Sequence, residues 1–285
     1  MDNQIYGTSN NRLACTVNLI LDEAGIDTPG NWVYDNGSVV KFEGLGETSR
    51  VSMIHPENVS NPTRYVSLQT FNEKFKNDLP IPMPLGKKAY VVRHGFADHN
   101  DPNASLEQAH DAHLTELGKS QARNSGVAIL KDSGGVLPNL KAKCSDLVRT
   151  METIDEILQQ LPEEQRVDTV EVCIEARENH RAVNEPQHWK KNDPLTEMAI
   201  DPYISIENLA LLAPGKSKEQ LERIRVENCS KNDPIKNKDA CTKKINGLNI
   251  DWSVYEEKLR VGYAAGKTFG QIATEKSLFE IIFEK

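Results

Sequence analysis

Residues 87–100 read KKAYVVRHGFADHN. Ala89 to Val92 form a short apolar run with β-branched residues, the pattern of a buried strand. Arg93, His94 and Gly95 follow at once, so a basic, glycine-containing loop leaves the strand at its carboxyl end. In an open parallel sheet, ligands bind beyond the carboxyl ends of the strands. This stretch is therefore both the first strand of the sheet and the first candidate site.

Working outward, the segment from 87 to about 180 alternates strand and helix. LTELGKSQARNSGVAILKD (114–132) reads as a helix opened by Thr115 as N-cap, and LKAKCS (140–145) as a second strand. In DLVRTMETIDEILQQL (146–161), Leu147, Met151, Ile154, Leu158 and Leu161 recur every four or three residues, one face of a helix. DTVEVCI (168–174) is a third strand. Such alternation predicts an α/β fold with three layers, α/β/α, around a mostly parallel sheet.

Before this segment, RLACTVNLILDEAGI (12–26) is helix-like. NWVYDNGSVVKFEG (31–44) reads as strand, Asn-Gly turn, strand, SRVSMI (49–54) is strand-like, and NDLPIPMPLG (77–86) is a proline-rich connector. Residues 1–86 thus form a divergent N-terminal part and 87–285 the core. The core carries an irregular polar insertion at about 190–250 and closes on a largely helical stretch from Asp251.

The 285 residues suffice for one large α/β domain. A net charge of −8 argues against nucleic-acid or anionic-membrane partners, which need clustered Lys and Arg, yet permits a small anion site. No apolar run approaches the roughly 20 residues of a membrane span, and the N-terminus lacks the basic and apolar regions of a signal peptide. Cys15, Cys144, Cys173, Cys229 and Cys241 are scattered and odd in number, so a reducing, cytoplasmic setting is expected rather than a disulfide or zinc framework.

Three groups fall at the predicted strand ends: Arg93-His94-Gly95, Ser145 to Arg149, and Glu175 with Glu178. Two arginines, a histidine and a carboxylate suit a phosphoryl group. Guanidinium forks match phosphate oxygens, a neutral imidazole can attack phosphorus, and a carboxylic acid can protonate the leaving oxygen. Gly95 lets backbone approach the anion, and Arg149 lies in a first helical turn, where N–H groups also favour anions.

These segments resemble the histidine phosphatase superfamily, whose fold is phosphoglycerate-mutase-like. VVRHGFADHN fits that family's RHGxxxxN form, LTELGKSQA its LTxxGxxQA helix, SDLVRTMET its SxLxRTxxT segment, and ARENHR the stretch bearing its acid. The resemblance covers 87–180. It implies that His94 becomes a phosphohistidine, that Arg93 and Arg149 bind the phosphoryl oxygens, and that Asn100 lines the pocket. It gives Glu178 the role of proton donor and then base, with Glu175 as alternative, and needs no metal or other cofactor.

One departure stands out. The family carries a second histidine on a late strand, and here no histidine follows His188. Residues 5–44 resemble the family's tail placed ahead of the RHG strand, which leaves a circularly permuted order open. In that alignment the expected histidine falls near Thr8 or Ser9. His55, at the end of a strand-like segment, is the candidate replacement, and His180 and His188 lie close in sequence to the acid. His99, His110 and His113 have a ligand-like spacing but no nearby cysteines or HExxH helix to make a metal site. The implied activity is a metal-independent phosphatase acting through His94. The alternative is a weak or inactive pseudophosphatase that binds a phosphorylated small molecule or phosphoprotein.

Overall fold

The computed structural model describes residues 2–26, 32–75, 85–101, 112–177, 215, 217–221, 248–267, 269–273 and 275–283. Its strands are β1 (Asp2–Thr8), β2 (Val39–Leu45), β3 (Thr48–His55), β4 (Lys87–Arg93), β5 (Leu140–Cys144), β6 (Thr169–Val172) and β7 (Asn249–Asp251). The helices are α1 (Asn10–Glu23), α2 (Leu68–Phe75), α3 (Glu116–Asp132), α4 (Val148–Leu158), α5 (Ser253–Ala264), α6 (Phe269–Ala273) and α7 (Leu278–Phe283). No helix among the described residues is long and apolar enough to cross a membrane.

The seven strands form one sheet in the order β3-β2-β4-β1-β5-β6-β7. β1, β4, β5, β6 and β7 run parallel, whereas β2 is antiparallel to both β3 and β4. Alternation along the strands sends neighbouring side chains to opposite faces. Ile5, Tyr90 and Val92 enter a core beneath α4 and α5, while Tyr6, Ala89 and Val91 enter another beneath α1, α2 and α7. Both faces are covered, which makes the expected three-layer α/β/α fold with a mostly parallel sheet.

The N-terminal residues are built into this sheet rather than set beside it. β1 lies between β4 and β5, in register Thr8↔Arg93 and Gly7↔Cys144. The helix read in residues 12–26 forms as α1, with Ser9 as N-cap accepting from the Arg12 N–H.

Two local expectations are corrected. Residues 32–35, the described part of the strand read before the Asn36-Gly37 turn, form no strand; β2 instead pairs with β3 through a turn at Gly46-Glu47. The reason is that Tyr34 to Ser38 spend their polar groups on the end of β4. Gly37 N donates to Arg93 O at 3.1 Å, and Arg93 N donates to Ser38 O at 2.9 Å. The second correction is β7, three residues at the edge of the region read as irregular. It is too short to show a period.

Because Ile5 is fully buried in the central strand, Ile5→Ala should lower unfolding free energy by about 2–5 kcal/mol in urea melts. A chain starting at Leu85 lacks β1 to β3 and should show no cooperative thermal transition by circular dichroism. A normal melt of that fragment would overturn the integration of β1.

Candidate active site

The loop after β4 is held by residues that the sequence motifs repeat. A Cβ on Gly95 would lie 2.2 Å from Gly118 O, and one on Gly118 would lie 2.0 Å from Phe96 O. Neither position tolerates a side chain, because rigid backbone of the loop and of the first turn of α3 meet there. Thr115 caps α3 by accepting from Gly118 N, and both its N–H and its hydroxyl donate to Phe96 O, at 3.0 and 3.1 Å. Gln121 Oε1 accepts from Phe96 N at 2.8 Å. Thr153 accepts from Gly95 N at 3.1 Å and donates to Arg149 O at 2.7 Å. Thr115 is thus a cap and also a fastener of the loop. Gly95, read as making room for an anion, makes room for α3.

A second set of bonds orders the start of α4. Ser145 N donates to Gly7 O at 3.1 Å, and the Ser145 and Thr150 hydroxyls lie 2.8 Å apart. This fixes Arg149 in the first turn of the helix, beside the ends of β1 and β4.

The geometry brings Arg93, His94 and Arg149 together, and all three are buried, His94 to 2% exposure. His94 N donates to Thr8 O at 2.9 Å, and Asn36 Nδ2 donates to His94 O at 3.2 Å. Arg93 Nη1 donates to Tyr34 O. The His94 Nδ1 lies 2.8 Å from Gly95 O. A carbonyl oxygen only accepts, so Nδ1 carries the proton and Nε2 keeps its lone pair. Burial, reinforced by the Arg149 and Arg93 guanidiniums and by His99, holds the His94 pKa well below its ordinary value. The ring is therefore neutral, with Nε2 nucleophilic.

Asn100 lies in a short helical turn at 98–100 and binds the loop itself. Its Oδ1 accepts from Ala97 N at 3.0 Å and from Asn36 Nδ2 at 3.3 Å, and its Nδ2 lies 3.2 Å from His99 Nε2. The sequence reading missed Asn36 and the pocket position of His99, whose ring centroid is 5.2 Å from that of His94. Arg93 and Arg149, after burial itself, push the His99 pKa down to about 3.

Other candidates lie elsewhere. His55 ends β3, two strands from β4, where burial lowers its pKa against the opposing pull of Glu57 and Asp35. Glu175 is buried, paired with Lys258 Nζ and accepting from the Cys173 thiol at 3.2 Å. Glu178, His110, His180 and His188 lie outside the described residues. His113 pairs with Glu152 at 2.7 Å and serves to tie the chain before α3 to α4. Among the described residues, no three His, Cys, Asp or Glu side chains converge as a metal site.

The segment leading to Glu178 is anchored at this edge. Thr8 Oγ1 donates to Ala176 O at 2.6 Å, and Arg12 Nε donates to Arg177 O at 2.8 Å. Asp146 accepts from Arg177 Nη1 and from the Tyr255 hydroxyl. None of these tethers is visible as a motif, since the partners lie up to 168 residues apart.

The lowered pKa of His94 has a sign that can be checked. Below the unfolded value of about 6.5, the unfolded chain takes up protons that folded His94 and His99 refuse. Stability should therefore be full above that pH and fall as pH drops toward the folded values. Asp155, raised to about 6 by burial and by Glu156, works in the opposite sense over part of the range. The His94 contribution is thus read as a difference. Thermal melts from pH 7.5 to 5 should fall less steeply for His94→Asn than for wild type, and equal slopes would remove the argument.

Comparison with known proteins agrees with this geometry. The family model of the histidine phosphatase superfamily (branch 1) matches residues 89–196. Phosphoglycerate mutase 3 of Saccharomyces cerevisiae is 32% identical over 163 residues, which are 50% of this chain and 53% of that protein. The chain thus spans about half the length of the curated relative it matches. No solved structure matches it at a significant level. The matched segment, less than half of the chain, holds the strand, loop and helices that assemble around His94, and over that segment the chain is similar to the histidine phosphatase superfamily.

Proposed function

We propose that this protein is a metal-independent phosphatase that passes a phosphoryl group through His94. The observation that carries the reading is the tautomer of His94, with Nδ1–H on Gly95 O and Nε2 free to attack, in the field of Arg93 and Arg149. The Nε2 lone pair forms the N–P bond as the P–O ester bond breaks, and the departing oxygen takes a proton. Water then attacks phosphorus, the N–P bond breaks back to a neutral imidazole, and the attacking water gives up its proton. The two guanidiniums stabilise the charge that builds on the phosphoryl oxygens.

Glu178 is the proposed acid and then base. It directly follows Arg177, which Asp146 and Arg12 hold at the active edge. Glu175 is instead engaged by Lys258 and Cys173. Water is favoured over a phosphorylated acceptor, the mutase outcome that the yeast relative's name suggests. Among the described residues, the guanidiniums perturbing His94 are Arg93 and Arg149, and the transferred group itself engages both. The substrate would be a phosphorylated small molecule or a phosphoprotein.

One observation favours a second reading, a pseudophosphatase that binds such a ligand without turnover. β1 ends beside Arg93 in Thr8, whose hydroxyl donates to Ala176 O and brings no positive charge. Losing one anion-stabilising group costs on the order of 10²–10³ in rate.

Hydrolysis of p-nitrophenyl phosphate in EDTA separates the two. The phosphatase reading expects turnover that disappears in His94→Ala and falls roughly 10²–10³-fold in Arg149→Ala. Phosphate binding without turnover in wild type selects the second reading. Turnover retained by His94→Ala would refute the phosphohistidine route.

A further inference from the structure

We infer that His99 is a phosphoryl-binding residue, with its Nδ1–H as a hydrogen-bond donor to the anion held at His94. The inference rests on the phosphate-site reading above and extends it to a residue that the recognised motifs leave unassigned.

A chain of hydrogen bonds fixes the tautomer of the His99 ring. The Ala97 backbone N–H can only donate, and it donates to the Asn100 side chain at 3.0 Å. The atom facing it must therefore be Asn100 Oδ1, which sets the orientation of the amide. Nδ2 is then turned to the His99 ring and lies 3.2 Å from its Nε2. An amide nitrogen can only donate, so Nε2 accepts and the proton of the neutral ring sits on Nδ1.

That Nδ1–H is buried and has no hydrogen-bond partner among the described residues. A buried donor left without an acceptor costs on the order of 1–3 kcal/mol, so it points to a group that arrives later. The surroundings say which kind. His99 is next to His94 at 5.2 Å between ring centroids, and both rings feel Arg93 and Arg149. An oxygen carrying negative charge satisfies the donor and the two guanidiniums together. A cation at this place would meet two positive charges.

The arrangement also orients the site for one protonation state. With Nε2 occupied by Asn100, the ring presents an N–H to the pocket without first having to gain a proton. A second proton could only enter at Nε2, against the Asn100 amide N–H, so the neutral ring is the form that donates.

Substitutions at position 99 can divide the two ring nitrogens. Asparagine places an amide N–H near the position of Nδ1, whereas glutamine reaches toward the position of Nε2 and Asn100. Phenylalanine keeps a ring and removes both nitrogens. Inorganic phosphate binding is measured by calorimetry on the full chain at pH 7.5, with thermal melts in phosphate-free buffer as the fold control.

The expected result is that His99→Asn binds phosphate within a few-fold of wild type, while His99→Gln and His99→Phe lose about tenfold or more, the range for a hydrogen bond to a charged group. If His99→Gln retains affinity and His99→Asn loses it, the contact with Asn100 matters and the inference is wrong. Wild-type affinity in all three variants also overturns it. Should Arg149→Ala weaken phosphate while the three variants do not, the phosphate site stands and only the role of His99 falls. If wild type binds no phosphate, the phosphate-site reading and the inference fall together.

Discussion

β1 hydrogen-bonds on both sides at once, to β4 through Thr8↔Arg93 and to β5 through Gly7↔Cys144. Every group at the active edge is placed relative to it. Thr8 O takes the His94 N–H, Gly7 O takes the Ser145 N–H, and the Thr8 hydroxyl holds Ala176. A strand from the first ten residues therefore aligns three loops that lie up to 168 residues from it in the chain. Closing such distant contacts costs entropy before it gains enthalpy, and the buried side chains on both faces of β1 offset that cost.

Around this frame the site concentrates positive charge on largely buried groups. His94, Arg93 and Arg149 are all buried, so electrostatic effects are larger there than at the surface. The guanidiniums attract an anion and keep His94 neutral by the same field. Under the proposed function, phosphoryl binding and a neutral His94 imidazole would have this common cause. The backbone contact between Gly95 and Gly118, together with the hydroxyls of Thr115 and Thr153, holds the loop that carries the ring. Gly95, Gly118, Thr115, Gln121 and Thr153 of the motifs act as fasteners of the loop, and Arg93, His94 and Arg149 are the buried basic groups they hold together.

Legibility in the sequence followed the range of the interaction. The strand–loop from Lys87 to His94, the periodic face of α4 and the Thr115 cap depend on neighbours within a few residues, and each was readable. The strand expected at Trp32 to Asp35 was not formed, because those residues serve the end of β4, some 58 positions away in the bond from Asn36 to His94. His99 escaped for a similar reason. Its ligand-like spacing to His110 and His113 did not amount to a metal site in the sequence, and that spacing did not reveal that its environment is made by Asn100, His94 and two arginines gathered from separate elements.

By itself the sequence determined the fold class, the resemblance of residues 89–196 to a known family, and the loop that carries Arg93 and His94, because hydrophobic period and short motifs are local quantities. Tertiary structure decided that residues 2–8 run through the centre of the sheet, that Glu175 is spent on Lys258, and that His99 stands against His94. It also set the tautomers of both rings, which no residue spacing encodes. Those outcomes rest on hydrogen bonds and burial between segments far apart in the chain, and such contacts exist only once the sheet has closed around β1.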